Sequence, residues 1–191
     1  SEPGSGNTIM SYAGQCHPDN TAPVADPFFH ARSWEEMTEF IDTRTCDGSF
    51  STGNQFPVVS AGPDRTIPAR TPFALTASAT DPESDPIVYQ WDQVNPGTGP
   101  TPLTAGDTGI GPIVRWFPPS PSPTRTIPAL STLVTGVPIV GEVLPSTSRT
   151  LVFRVFARDN RGGTGTDTVL VTPTTAAGPF RVTSPNPAPP T

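Results

Sequence analysis

Residues 73–92 read FALTASATDPESDPIVYQWD, and two runs of strict alternation within them decide the fold class. Phe73, Leu75, Ala77 and Ala79 fall on one side of an extended chain, with Ala74, Thr76, Ser78 and Thr80 on the other. After the Asp/Pro cluster at 81–86, Ile87, Tyr89 and Trp91 alternate with Val88, Gln90 and Asp92. Side chains of a strand point to opposite faces in turn, so each run predicts a half-buried strand. Further along, Leu151, Phe153, Val155 and Ala157 share one face with Arg154 and Arg158 on the other, and Val169 and Val171 close the series. Four or more such strands, separated by turn clusters, predict a mainly β fold arranged as a sandwich with Trp91 in its core. The stretch Pro118–Ser148 is rich in Pro and Thr and reads as a long ordered loop with short edge strands.

Upstream the pattern changes. Residues 1–27 carry no periodicity, only Gly, Pro, Asn and Asp around TIMSYAG. Ser33 then precedes Glu36 by three positions, a capping box that opens a helix over about 33–44. Trp34, Met37, Phe40 and Ile41 form its apolar stripe. A lone helix cannot bury such a stripe, so Trp34 and Phe40 are expected to pack on the sandwich or on a neighbouring molecule. Cys16 and Cys46 are the two cysteines. Their even count in a chain of this composition favours one disulfide and an oxidising compartment, with two unpaired buried thiols as the alternative. A bridge would tie the helix to the loop after TIMSY and add roughly 3–4 kcal/mol in the chain-entropy model.

Composition narrows the functions open to the chain. Of 191 residues, 27 are Pro and 17 Gly, while hydrophobic residues make up 34%. That combination suits short strands and extended linkers better than a large helical core. All 11 basic residues are Arg, so P-loop and Schiff-base lysine chemistry are excluded. A net charge of −6 argues against nucleic acid as a partner. No apolar run reaches the roughly 18 residues of a membrane span. No G-x-S-x-G elbow is present, and no pair of catalytic carboxylates stands out.

The segment SGNTIMSYAGQC, with Met10 and Tyr12, resembles the Met-turn of metzincin zinc proteases. ADPFFHARSWEE, followed by the helix and Cys46, is similar to the end of the catalytic domain in bacterial secreted reprolysin-like metalloproteases. GPDRTIPARTPFALTASATDPESDPIVYQW, TRTIPALSTL, LPSTSRTLVFRVFARDNRGG and GPFRVTSPN resemble the Ig/PKD-like module that follows it. The resemblance runs in order along nearly the whole chain. It implies a remnant of the catalytic domain at 1–56, an Ig/PKD-like β-sandwich at 57–176, and at 177–191 a linker or the start of another module. It also implies that Met10 lies beneath the zinc-binding histidines and that Tyr12 reaches the metal side. The soft thioether suits a hydrophobic floor, and the phenol can approach a metal or an oxyanion.

One departure bears on catalysis. The family's zinc site is H-E-x-x-H-x-x-G-x-x-H, whereas this chain has only His17 and His30 and no His-Glu pair. Zinc is therefore expected in the parent protease only, and the chain alone is not expected to cleave peptides. A separate zinc site from His17, His30, Cys16 and Cys46 lacks ligand spacing. The plainer expectation is a solvated His17 and a His30 that packs or hydrogen-bonds at the start of the helix.

A second constellation is acidic: Asp81, Glu83 and Asp85, with Asp159 and Asn160, and Asp64 nearby. Loops of this kind resemble those that cage calcium in PKD-like and cadherin-like sandwiches. Equally, Asp beside Pro makes turns by accepting local backbone N–H groups. The expected role is thus a non-catalytic part of a secreted, extracellular bacterial protease, whose partner is a protein or peptide substrate. The sandwich would be a spacer or a substrate- or surface-binding module. The alternative is a cell-surface adhesion or carbohydrate-binding module, for which Trp116-Phe117 is the candidate aromatic pair.

Overall fold

A computed structural model describes residues 2–45, 48, 51–97 and 102–180. Its strands are β1 (Val58–Ser60), β2 (Arg65–Pro68), β3 (Phe73–Thr76), β4 (Ser78–Thr80), β5 (Val88–Gln93), β6 (Thr124–Ile127), β7 (Leu151–Arg158) and β8 (Thr164–Thr174). Helix α1 (Ala31–Asp42) precedes them, and a short α2 (Leu130–Thr135) lies between β6 and β7. The fold is mainly β, as the alternation predicts.

The largest sheet has the order β2-β8-β7-β5. β5, β7 and β8 are antiparallel neighbours, with Trp91 opposite Val155 and Phe153 opposite Val169, and β2 joins β8 in parallel. On one face of β7, Leu151, Phe153, Val155 and Ala157 are completely buried. Leu151, Phe153 and Val155 meet Trp91 from β5, Val169 and Val171 from β8, and Phe73, Leu75 and Ile127 from the small β3-β6 sheet. The rings of Phe73 and Phe153 stack edge-on at 5.9 Å. Trp91 lies in this core, its indole N–H donating to the Pro123 carbonyl at 3.1 Å. A buried indole without that acceptor would cost about 1–3 kcal/mol.

The alternating run 73–80 is two strands rather than one. β3 pairs with β6, whereas β4 pairs with β1. Ala77, between them, donates its N–H to Pro123. Alternation reports which side chains face the core and is silent about which strand supplies the hydrogen bonds. The stretch 118–148 is likewise ordered by distant polar partners. Arg125, nearly buried, donates to the carbonyls of Trp91 (2.6 Å) and Arg115 and to Glu142 at 3.0 Å. The other oxygen of Glu142 accepts the Ala129 N–H at 2.7 Å. Besides β6, that stretch holds α2, a helix the Pro- and Thr-rich pattern does not suggest.

The opposite face of β7 is covered too. Phe156, on the side of Arg154 and Arg158, is fully buried beneath Trp34 of α1, ring to ring at 5.3 Å. Arg154 adds an ion pair to Glu35 at 3.3 Å. β7 is therefore buried on both sides, as a central strand is when a helix packs on its sheet.

Helix α1 starts two residues before the expected capping box. His30 is the N-cap: its Nδ1 accepts the Arg32 N–H at 3.2 Å, and Asp92 of β5 accepts the Ala31 N–H at 2.6 Å. These partners satisfy first-turn donors that helix geometry leaves open, so Ser33 is not needed as a cap. Glu36 pairs with Arg32 at 2.9 Å instead. The helix ends where Thr43 turns its hydroxyl onto the Phe40 carbonyl at 2.7 Å.

Candidate functional site

The turn carrying Met10 and Tyr12 is built from the backbone outward. The Ser11 N–H closes onto the Thr8 carbonyl at 3.0 Å, placing Ile9 and Met10 at the apex. The Ser11 hydroxyl doubles that closure at 2.6 Å. Tyr12 N–H reaches the Ser5 carbonyl at 2.9 Å, and Ile9 N–H the Phe28 carbonyl at 3.0 Å. Glu2 caps the approach, accepting from the Asn7 N–H (3.0 Å) and the Thr8 hydroxyl (2.5 Å). Asn7 is buried and its amide donates to Asp26 at 2.8 Å and, at 3.4 Å, to the Trp116 carbonyl. Gly6 is required here: its φ is +67°, and a Cβ would stand 2.8 Å from that of Ser11.

The side chains show the opposite state. Asn7 and Thr8 are 1% exposed, while Met10 is 68% and Tyr12 71% exposed. The turn is thus held firmly while its apolar and aromatic groups face out. Beside it runs a groove of about 460 Å³ lined by Met10, Met37, Phe40 and Ile41. The expected stripe of α1 is therefore divided. Trp34 packs on the sheet, while Phe40 and Ile41 are more than half exposed, with the Arg44 guanidinium 3.9 Å over the Phe40 ring. A second cleft, about 310 Å³ and more polar, opens between the turn and the start of α1, with Thr8, Tyr12, His30 and Arg32 in its wall.

His30 is 4% exposed and bonds on both ring nitrogens. Nδ1 receives the Arg32 N–H, so Nε2 carries the proton and donates to the Gln93 carbonyl at 3.2 Å. Burial pulls its pKa down to about 4, which keeps the ring neutral. Asp92, also buried, accepts from the Gln90 amide at 2.9 Å as well as from Ala31. Desolvation pushes its pKa up to about 6 against those donors. His17 is exposed. His30 thus serves at the start of the helix. Among the described residues no group of three or more His, Cys, Asp or Glu is placed to hold a metal ion. The described donors, His17, His30 and Cys16, do not come together as a zinc site. Cys46 lies outside the described residues, so its expected bridge to the half-buried Cys16 has no structural account.

The acidic loops lie at another place in the fold, and their carboxylates are mostly engaged internally, with Asp81 Oδ2 buried but unpartnered. Asp81 accepts the N–H groups of Glu83 (3.0 Å) and Asp85 (2.9 Å). Glu83 accepts from the Gln55 amide at 3.1 Å, and Asp85 pairs with Arg161 at 2.7 Å. Asp159 accepts the N–H groups of Arg161 (2.7 Å) and Gly163 (2.9 Å) on one oxygen and the Asn54 amide at 2.6 Å on the other. These donors, Asn54 foremost, hold its carboxyl below the usual range. Asn160 is exposed and supplies the left-handed residue of the turn, φ +61°. Asp64 accepts the Leu170 N–H at 2.8 Å. Trp116, the candidate sugar platform, is 1% exposed and packs against Phe28 at 5.4 Å, which removes it as a binding surface.

Sequence reasoning missed Asp92 and Gln93, and it placed His30 in a hydrogen bond or packing contact at the start of the helix without identifying it as the cap. A polar residue on the outward side of an alternating strand looks solvated; only the helix lying on that face makes Asp92 internal. No helix of the described residues is long and apolar enough to cross a membrane. No family model matches this chain, and no curated protein matches it.

Proposed function

We propose that this chain is the C-terminal part of the catalytic domain of a secreted zinc metalloprotease, joined to an Ig/PKD-like β-sandwich, and is not catalytic alone. One observation carries the reading: the Thr8–Ser11 turn fixes its backbone yet leaves Met10 and Tyr12 uncovered beside an apolar groove. Exposed large apolar groups on a well-ordered frame mark a surface made for a partner. In this reading the partner is the zinc-bearing helix of the same protease, which would rest on Met10 and bring its metal toward Tyr12. The chain itself has only His17 and His30 and no His-Glu pair, so ligands and general base must come from that helix. The substrate is then a protein or peptide, met outside the cell.

The deciding experiment is to sequence the source genome upstream of the Ser1 codon. An in-frame H-E-x-x-H-x-x-G-x-x-H shortly before it is the expected result. A start codon with a signal peptide, or further β modules in its place, would transfer the chain to the adhesion or carbohydrate-binding class.

A further inference from the structure

The sandwich has so far been given only a spacer or binding role. The contacts between it and the Met10 turn suggest another. Segment Asp26–Ala31 lies between the two. On one side β5 and its neighbourhood grip it: the Gln90 amide donates to the Phe29 carbonyl at 3.3 Å, Gln93 offers its carbonyl to His30, and Asp92 takes the Ala31 N–H. The Phe28 ring leans on Trp116. On the other side the segment holds the turn. Phe28 accepts the Ile9 N–H, Asp26 donates its N–H to the Asn7 carbonyl at 2.7 Å, and the Asp26 carboxylate receives the Asn7 amide.

We propose that the β module positions the Met10–Tyr12 turn through this bridge, with Asp92 and Gln90 as the positioning residues on the module's side. Two features argue against incidental contact. The polar groups at the joint (Asn7, His30, Gln90, Asp92, Gln93) are all at most 4% exposed and, apart from the Asn7 amide oxygen, have partners, as buried polar groups in folded proteins generally do. The bridge also uses other side chains than the Trp34–Phe156 ring contact, which docks the body of α1; Trp34 meets the segment through its backbone N–H, which donates to the His30 carbonyl at 3.0 Å. A module used merely as a spacer would need neither. In functional terms this rests on the protease reading above, because only there does the turn flank a metal. The mechanical coupling is a property of this chain and is tested without that reading.

The test is amide hydrogen exchange, resolved by residue, on the full 191-residue chain. In Asp92→Ala, the Ile9 and Tyr12 amides should exchange about tenfold faster or more, while amides at the centre of β7 and β8 keep their rates. Trp34→Ala should loosen α1 and leave Ile9 and Tyr12 protected. Unchanged Ile9 and Tyr12 in Asp92→Ala would overturn the proposal. So would acceleration spread equally over β7 and β8, or an equal release of the turn by Trp34→Ala. If Asp92→Ala does not fold, Gln90→Ala carries the same expectations. A genome without the zinc motif would sink the protease reading and leave this result standing.

Discussion

At the Asp81–Asp85 and Asp159–Gly163 loops most of the side-chain oxygens are engaged: carboxylates accept backbone N–H groups, a side-chain amide and a guanidinium, while Asp81 Oδ2 is buried without a partner. At the Thr8–Ser11 turn the backbone is engaged and the side chains are left over. Both regions look equally functional as strings of letters. Their difference teaches that a candidate site is recognised by which groups remain unsatisfied after folding. Carboxylates that accept their own loop's N–H groups shape a turn, whereas in the proposed reading the apolar groups held outward on a fixed frame meet a partner surface.

The largest effect belongs to the contact that docks α1 on the sheet. Phe156→Ala should cost about 3–5 kcal/mol in denaturant unfolding, since the ring is buried on the helix side of β7. A loss below about 1 kcal/mol would mean that α1 contributes nothing to the sheet, and the contrast between the two regions would lose its structural basis.

Next comes pH, where the turn region carries two opposed groups. His30 has a folded pKa of about 4 against an ordinary 6.5. Below pH 6.5 the unfolded chain binds the extra proton, so this stabilisation is present above 6.5 and lost as pH falls towards 4. Asp92 has a folded pKa of about 6 against 3.8. Here the native state holds the extra proton, so its stabilisation is full below 3.8 and lost as pH rises through 6. Each contribution amounts to about 3 kcal/mol at its limit, and over pH 4–6 the two nearly cancel. Relative to the unsubstituted chain, Asp92→Asn should therefore tilt stability upward with pH over this window, and His30→Asn should tilt it downward. Parallel profiles for the two variants would break the assignment. Asp159 acts elsewhere on the scale: its lowered pKa stabilises above 3.8 and that gain is lost on further acidification, so Asp159→Asn should flatten only the most acidic limb.

A smaller contrast separates the frame of the turn from its display. Asn7→Ala should destabilise by about 1–3 kcal/mol through the lost amide donor to Asp26. Met10→Ala and Tyr12→Phe should stay within about 0.5 kcal/mol because both side chains are mostly exposed. Equal costs for all three would erase the distinction. The smallest effect is expected from calcium. With Asp81, Glu83, Asp85 and Asp159 acting as turn acceptors, millimolar calcium should move Tm by about a degree at most. A clear rise reversed by EDTA would assign these residues a calcium-binding role.

Much of the β framework was legible beforehand. Leu151, Phe153, Val155 and Ala157 announce one buried face, Trp91 announces the core, and Trp34 announces a helix needing a surface, because periodicity is a local record of which side meets water. The Met10 turn was visible only through its resemblance. The acidic pattern left calcium and turn-making open, since both chemistries ask for the same carboxylates.

By itself the chain determined the alternating strands β5, β7 and β8 with their apolar faces, and the presence of helix α1, because side-chain direction follows from backbone period alone. Only the tertiary structure decided that residues 73–80 divide between two partners, that Phe156 among arginines is buried, and that His30 caps a helix whose first N–H is met by Asp92, 61 residues away. Those outcomes depend on which distant group fills an open hydrogen bond or covers an open face, and no local pattern carries that information.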